Sequence, residues 1–148
     1  MLLSIHIQLV PNKKQVTLFR KASGVARHAY NWANATVNDV LKQRESDKSI
    51  KIPSAIDLHK KLVAEVKSVN AWYYETNKNV PQQALKELRT AWYRCFKKVA
   101  KQPKFKKKGQ RDSFYLESGS KAKPKIKNDG NKKSRQNINK RCANIIHI

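Results

Sequence analysis

The feature that most constrains the fold is a set of apolar and small side chains recurring every three or four residues between positions 16 and 41. The set comprises Val16, Phe19, Ser23, Ala26, Tyr30, Ala33, Val37 and Leu41. This spacing places all of them on one face of an α-helix, which completes a turn about every 3.6 residues. The polar residues away from this stripe are Lys14, Arg20, Arg27 and Asn34. The pattern predicts a helical segment from Lys13, with a bend or a junction between two helices at Gly24.

Helical signals continue as far as residue 101. A polar loop over 44–53 precedes Ser54, which has the spacing to Asp57 of an N-terminal helix cap. Pro81 suits the first turn of a further helix. The residues expected to face inward on that last helix are Ala84, Leu85, Leu88, Trp92, Cys95, Phe96 and Val99.

Strand patterns flank the helical block of residues 13–101. Residues 2–10 alternate apolar and polar side chains, and short strand candidates follow at about 113–127. Strands on both sides of a helical block could pair in one sheet, with the helices as an inserted lobe. From residue 128 to 148 the chain is basic and lacks a period, so this tail is predicted to be disordered.

Charge is the strongest indication of function. The 148 residues contain 33 Lys and Arg against 10 Asp and Glu, a net charge of +23. Residues 1–95 have 16 basic and 7 acidic side chains, whereas residues 96–148 have 17 and 3. Such an excess attracts a polyanion, and the phosphate backbone of a nucleic acid is the natural one. A membrane partner is not expected, because no apolar run approaches the ~20 residues of a span.

Neither catalysis nor metal binding is predicted. The histidines, at positions 6, 28, 59 and 147, have no short metal-ligand spacing, and the acids of the helices sit at capping or polar positions. Cys95 and Cys142 are far apart, which gives no disulfide framework and favours a reducing cytoplasm. No cofactor, small-molecule substrate or secretory signal is expected.

The aromatic residues divide into two groups. Tyr30, Trp92 and Phe96 lie on apolar stripes, so packing in the core is the better interpretation. Trp32, Tyr73 and Tyr74 lie off the stripes or in an interruption of the pattern, so stacking on unpaired bases stays open for them.

Several motifs in order resemble one protein family. They are Pro11-Asn12-Lys13-x-Gln15 with Phe19, Gly24, Arg27 and Tyr30-Asn31-Trp32; Val80-Pro81-Gln82-Gln83-Ala84-Leu85; Phe105-Lys106-Lys107-Lys108; and Asp112-Ser113-Phe114. Together, over about residues 1–127, they resemble the N-terminal region of the TnpB (OrfB) proteins of bacterial insertion sequences. The opening segment of that family is often labelled a helix-turn-helix domain.

The resemblance implies a fold and a partner. Proteins of this family are RNA-guided DNA nucleases, long described as transposases, whose N-terminal part is a wedge-like β-barrel interrupted by a helical lobe. The implied fold here is mainly α with a few β-strands (α+β), the helical lobe being inserted between strands of an incomplete barrel. The implied partner is nucleic acid, a guide-like RNA, DNA or both. The family's RuvC-like nuclease part and paired C-x-x-C motifs have no counterpart in these residues, so we expect a truncated chain without nuclease activity.

Binding is expected from Lys13, Lys14, Arg20, Arg27, Lys104, Lys106, Lys107, Lys108 and Arg111. Phosphate contacts of this kind position a nucleic acid without reading its sequence.

Three alternatives stay open: a stand-alone DNA-binding regulatory module, a ribosomal-type RNA-binding protein, and a non-functional remnant of a mobile element. A further hypothesis is that the residues from Lys133 are read out of frame, since codon degeneracy permits a shifted reading that alternates like a strand. The residues leave oligomeric state and sequence specificity undetermined.

Overall fold

The computed structural model describes residues 10–116 and 144–147, and this part of the chain is mostly helical. Its α-helices are α1 (Lys13–Ser46), α2 (Ala55–Leu62) and α3 (Asn79–Phe96). A π-helical turn (Val63–Lys67) extends α2, and a 3₁₀ turn (Ala71–Glu75) leads toward α3. The strands are β1 (Ser113–Leu116) and β2 (Asn144–His147).

Helix α1 runs unbroken for 34 residues, a length of about 50 Å. Asn12 caps its first turn. The Asn12 side chain accepts a hydrogen bond from the Gln15 backbone N–H at 2.9 Å, and the Gln15 side-chain oxygen accepts one from the Asn12 backbone N–H at 2.9 Å. The junction between two helices predicted at Gly24 is therefore wrong. A glycine lowers helix stability by only about 1 kcal/mol, and the burial of its neighbours Ser23 and Val25 outweighs that cost.

The predicted starts of the two later helices are confirmed. Ser54 Oγ accepts from the Asp57 backbone N–H at 3.2 Å, and the Asp57 carboxylate accepts from the Ser54 backbone N–H at 3.0 Å. Pro81 lies in the first turn of α3, where its missing N–H costs no hydrogen bond.

One core forms where α1, α2 and α3 meet. Val25, Ala29, Ala33 and Val37 of α1 are almost completely buried, as are Leu58 and Leu62 of α2 and Leu85, Leu88 and Trp92 of α3. The alanines let the helix backbones approach closely, and the larger side chains of α2 and α3 fill the space between them. The predicted core positions of Tyr30 and Trp92 are confirmed.

The end of α3 differs from the prediction. The helix ends at Phe96, not near residue 101, and Lys98 takes a left-handed conformation with φ of 57°. Phe96 and Val99 were expected to face inward, but 42% and 67% of their surface is exposed. Val99 lies beyond the helix, so the helical period no longer governs where its side chain points.

The two strands pair antiparallel, with Phe114 opposite Ile146. Phe114 is buried and its ring centre lies 5.5 Å from that of Phe19 on α1. Most of the predicted strand 2–10, residues 117–127 of the second strand region, and most of the tail 128–148 lie outside the described residues; within the tail, Asn144–His147 form β2. The barrel therefore stays a prediction.

Candidate nucleic-acid interface

Four polar residues of α1 share one face of the helix: Arg27, Asn31, Asn34 and Asn38. Steps of four, three and four residues keep a position on the same side of a helix. We call these residues the polar stripe. Each of them binds a residue of the segment 101–112, which we call the basic segment.

At its start, the basic segment is bound by the two asparagines farthest along α1. The Gln102 side-chain amide donates to Asn38 Oδ1 at 3.0 Å, and Asn34 Nδ2 donates to the Pro103 carbonyl at 3.2 Å. The segment therefore lies along α1 and runs in the opposite direction to it.

The middle and end of the basic segment are held by the rest of the polar stripe. Asn31 forms a pair of hydrogen bonds with Lys106, donating to its carbonyl at 2.9 Å and accepting from its N–H at 2.8 Å. Arg27 Nη1 donates to Asp112 Oδ1 at 2.7 Å, with about a fifth of each side chain exposed. These contacts hold a lysine-rich loop in a fixed position on the surface.

Asn34 connects the interface with the core. Its side chain is 1% exposed, and its Oδ1 accepts from the indole N–H of Trp92 at 3.0 Å. Because a buried indole N–H needs an acceptor, this residue satisfies Trp92 while it binds Pro103. The sequence pattern placed Asn34 away from the apolar stripe and gave no sign of this role.

The turn before β1 is arranged around the Asp112 carboxylate. Burial would raise the pKa of Asp112, but hydrogen bonds from the Gly109 N–H and from the Arg27 guanidinium outweigh it and lower the pKa. Gly109 has φ of 76°, a conformation that glycine adopts without steric cost, and its N–H reaches Asp112 Oδ2 at 3.0 Å. The turn thus keeps Asp112 ionised opposite Arg27.

The nine predicted binding residues fall into two groups. Two of them have partners within the fold, namely Arg27 and Lys106. Lys106 Nζ lies 4.4 Å from the centre of the Tyr30 ring and 3.6 Å from Glu87 Oε2. Their phosphate-binding role stays a prediction, and the structure gives both a part in holding the basic segment.

The other seven predicted residues are exposed: Lys13, Lys14, Arg20, Lys104, Lys107, Lys108 and Arg111. Lys13 and Arg20 precede Arg27 by fourteen and seven residues, so on α1 they lie in line with the polar stripe. Exposed cations therefore extend along one line of α1 from its first residue to the loop that the stripe holds.

Sequence reasoning missed part of the positive surface. Lys97, Lys98 and Lys101 were not among the predicted binding residues, yet all three are exposed; the first two precede the basic segment and Lys101 begins it. Phe105 stands among these lysines with 57% of its surface exposed. The close spacing of these lysines in the sequence could have indicated one continuous positive surface. The end of α3 at Phe96 could not be predicted from that spacing.

A cleft of about 540 Å³ lies beside the polar stripe. It is lined by Gly24, Arg27, His28, Asn31, Trp32 and Trp72. Burial lowers the pKa of His28, whose Nδ1 lies 2.7 Å from the Tyr73 hydroxyl. Tyr73 is 1% exposed, which decides the question that the sequence left open for it: Tyr73 packs in the core and is not available for stacking, whereas Trp72 and Tyr74 of the same turn are 38% and 66% exposed.

Over the described ranges 10–116 and 144–147, no group of three or more His, Cys, Asp and Glu side chains is arranged to hold a metal ion. Cys95 is a free thiol. In the same part of the chain, none of the helices is both long enough and apolar enough to cross a bilayer.

A helical core with a lysine-rich loop fixed on its surface is typical of small basic proteins that bind polyanions. A family comparison narrows this class: residues 1–46 match the family HTH_OrfB_IS605, described as a helix-turn-helix domain. The chain therefore carries the N-terminal domain of an OrfB-family protein, which confirms the resemblance over residues 1–46; the motifs seen after residue 46 lie outside the match. No curated protein matches the chain.

The matched residues have an unexpected conformation. A helix-turn-helix motif has a turn between two helices, with the second helix placed in the major groove of DNA. From Lys13 to Ser46 the structure instead has one continuous helix, with no turn among residues 13–46. The family assignment therefore rests on the sequence match.

Proposed function

We propose that this chain is a nucleic-acid-binding protein associated with a transposable element. It would hold the phosphate backbone on the basic segment and on the exposed cations of α1. The observation that carries the proposal is the polar stripe, which binds the segment at Gln102, Pro103, Lys106 and Asp112. A lysine-rich loop without a partner would have no need of four such anchors.

The anchors explain how binding could be strong. A mobile loop would lose conformational freedom on binding, and that loss reduces affinity. Here Asn31 and Arg27 hold the segment on either side of Lys107 and Lys108, and both lysines are exposed. These lysines are therefore positioned before the nucleic acid arrives.

DNA is the partner that the family match supports, because a helix-turn-helix domain is a DNA-binding motif. A guide-like RNA is the second candidate, and it follows from the resemblance to TnpB proteins. Contacts made by lysines to phosphates suit both, since they carry no sequence information.

We also propose that the chain binds nucleic acid without cleaving it, and that it works in the cytoplasm. Metal-dependent nucleases position their ions with converging carboxylates. Three of the described acids already have roles within the fold: Asp57 caps α2, Asp112 pairs with Arg27, and Glu87 lies near Lys106.

The test is a binding titration of the full chain with duplex DNA and with structured RNA at several salt concentrations. Replacing Lys104, Lys107 and Lys108 together by alanine should reduce affinity and flatten the dependence of log K on log salt. Each lost phosphate contact lowers the slope by about 0.9 for duplex DNA, so three contacts give a change of roughly 2 to 3.

The matched control replaces Lys48, Lys51 and Lys60, which are equally exposed but lie in the loop after α1 and on α2. It removes the same charge and should change the slope much less. Equal losses in both triple variants would mean that the net charge alone drives binding, and the proposed interface would then be wrong.

A further inference from the structure

Gly24 has no structural reason to be a glycine. It lies in the interior of α1, where glycine is the least favourable residue apart from proline. A Cβ built on Gly24 would meet no atom within 4 Å, and its φ is not in the left-handed region. Neither close packing nor backbone geometry requires it. The missing side chain leaves open space at the floor of the cleft.

One wall of the cleft is a tryptophan held at a fixed angle. The indole N–H of Trp72 donates to Asn70 Oδ1 at 3.1 Å, and its ring centre lies 4.5 Å from that of Tyr73. The His28 ring meets it edge-on at 5.1 Å. Trp72 nevertheless keeps 38% of its surface exposed, so an oriented aromatic surface faces solvent.

A second contact fixes the turn that bears Trp72. Lys21 of α1 forms an ion pair with Glu75 at the end of the 3₁₀ turn. A smaller cleft on that side is lined by both of these residues together with Gly24 and Trp72. Trp72 therefore stands over the bare backbone of Gly24 with open space on either side.

The α1 side of the cleft includes two anchors of the basic segment. Arg27 and Asn31 line the cleft, and they are the same residues that bind Asp112 and Lys106. The exposed cations Lys107, Lys108 and Arg111 lie in the five residues between those two anchors. We call these three cations the rim, and the loop that carries them is held by two side chains that line the cleft.

We propose that this cleft accepts an unpaired nucleobase of a single-stranded nucleic acid, stacked against Trp72 over Gly24, while the strand's phosphates lie on the basic segment. The inference rests on the proposed function and adds to it a preference for single strands. Aromatic side chains combined with a positive groove are the general means of binding single strands. The volume of about 540 Å³ exceeds that of one base and leaves room for its sugar.

The site should bind bases with little selectivity. Three polar side chains of its walls already have partners within the protein: both ends of the Asn31 amide bind Lys106, the Trp72 indole N–H binds Asn70, and His28 Nδ1 lies beside the Tyr73 hydroxyl. Stacking uses the face that every base has, so it does not need those groups. Duplex DNA has no unpaired base and would contact only the rim.

The test measures affinities of the full chain for a short single-stranded oligonucleotide of mixed sequence and for its duplex, with DNA and RNA strands run separately. Trp72→Ala should weaken single-strand binding about five- to tenfold, which corresponds to the lower end of the stacking range, and leave duplex binding within about twofold. Trp72→Phe should restore most of the loss. Gly24→Leu, which fills the cleft and leaves Trp72 in place, should give a similar selective loss.

Tyr74→Ala is the matched control, because Tyr74 is an exposed aromatic residue of the same turn that does not line the cleft. It should leave the single-strand preference unchanged. If both cleft variants bind single strands as the wild type does, or lose duplex affinity equally, the base site is wrong while the basic segment stands. If the wild type binds neither form, the proposed function fails, and the base site fails with it.

Discussion

Asn34 offers the sharpest test of how the interface is built. In the variant Asn34→Ala, the indole N–H of Trp92 loses its acceptor in a buried position, and the Pro103 carbonyl loses its donor. An orphaned buried donor costs about 1–3 kcal/mol, and the loss at the partly buried carbonyl adds about 0.5–1.5 kcal/mol. We expect the free energy of unfolding to fall by about 2–4 kcal/mol.

Urea denaturation followed by tryptophan fluorescence measures this loss directly. With a slope in the usual range for a small domain, the midpoint should fall by roughly 1 to 2 M. Asn38→Ala is the control, since it removes the same side chain one turn later on α1, where the bond to Gln102 is exposed and the bond to the Asn34 carbonyl only adds to that carbonyl's helical bond. Its cost should stay below about 1 kcal/mol.

A double-mutant cycle separates the buried bond from other effects. In a Trp92→Phe background there is no indole N–H to orphan, so Asn34→Ala should cost about 1–2 kcal/mol less than in the wild type. Additive costs for the two substitutions, or a loss below about 0.5 kcal/mol for Asn34→Ala alone, would refute the role assigned to this hydrogen bond.

Two further predictions concern the same helix and the turn that it binds. Gly24→Ala should raise the free energy of unfolding by about 0.5–1 kcal/mol in urea denaturation, because alanine favours the helix and its methyl group meets nothing; a lower stability would reveal packing that the geometry does not show. The folded-state pKa of Asp112 is lowered, so its pairing with Arg27 stabilises the fold above the ordinary carboxyl pKa of 3.8 and is lost as the pH falls through the lower folded value. Asp112→Asn should therefore be less stable than the wild type by about 1 kcal/mol at about pH 6, and the two unfolding free energies should converge toward about pH 2; a difference that is independent of pH would contradict the ion pair.

The elements that could be predicted from the sequence are those with local causes. The stripe from Val16 to Leu41 predicts α1 because spacing alone determines which side chains share a face. The cap at Ser54 depends on Asp57, only three residues away. Pro81 likewise acts through its own missing N–H. Each signal lies within a few residues of the structure that it produces.

The candidate site could not be predicted in the same way, because its contacts join distant parts of the chain. Asn31 and Lys106 are 75 residues apart, and Arg27 and Asp112 are 85 apart. An asparagine on a helix face is equally compatible with solvent, so nothing near Asn31 indicates a partner. Lys104, Lys107 and Lys108 were predicted to bind nucleic acid and are exposed, but the contacts that hold their loop could not be predicted from the sequence.

The error at Gly24 has a related cause. A glycine in an amphipathic pattern suggests a break if only helix propensity is considered. Tertiary packing overrides a propensity difference of about 1 kcal/mol when the residues on either side are buried, as Ser23 and Val25 are. The glycine then leaves the helical backbone unchanged. Its missing side chain instead opens space at the helix surface, where Gly24 lines the cleft.

One helix therefore serves three purposes. Its alanines and valines form part of the core, its polar stripe holds the basic segment, and Gly24 together with two residues of that stripe lines the cleft beside Trp72. A turn between Arg27 and Asn38 would rotate one part of α1 against the other and separate the first anchor of the basic segment from the last. The continuity of α1 is thus a requirement of the interface, and a variant that breaks the helix between Arg27 and Asn38 should lose the ordered loop together with the core.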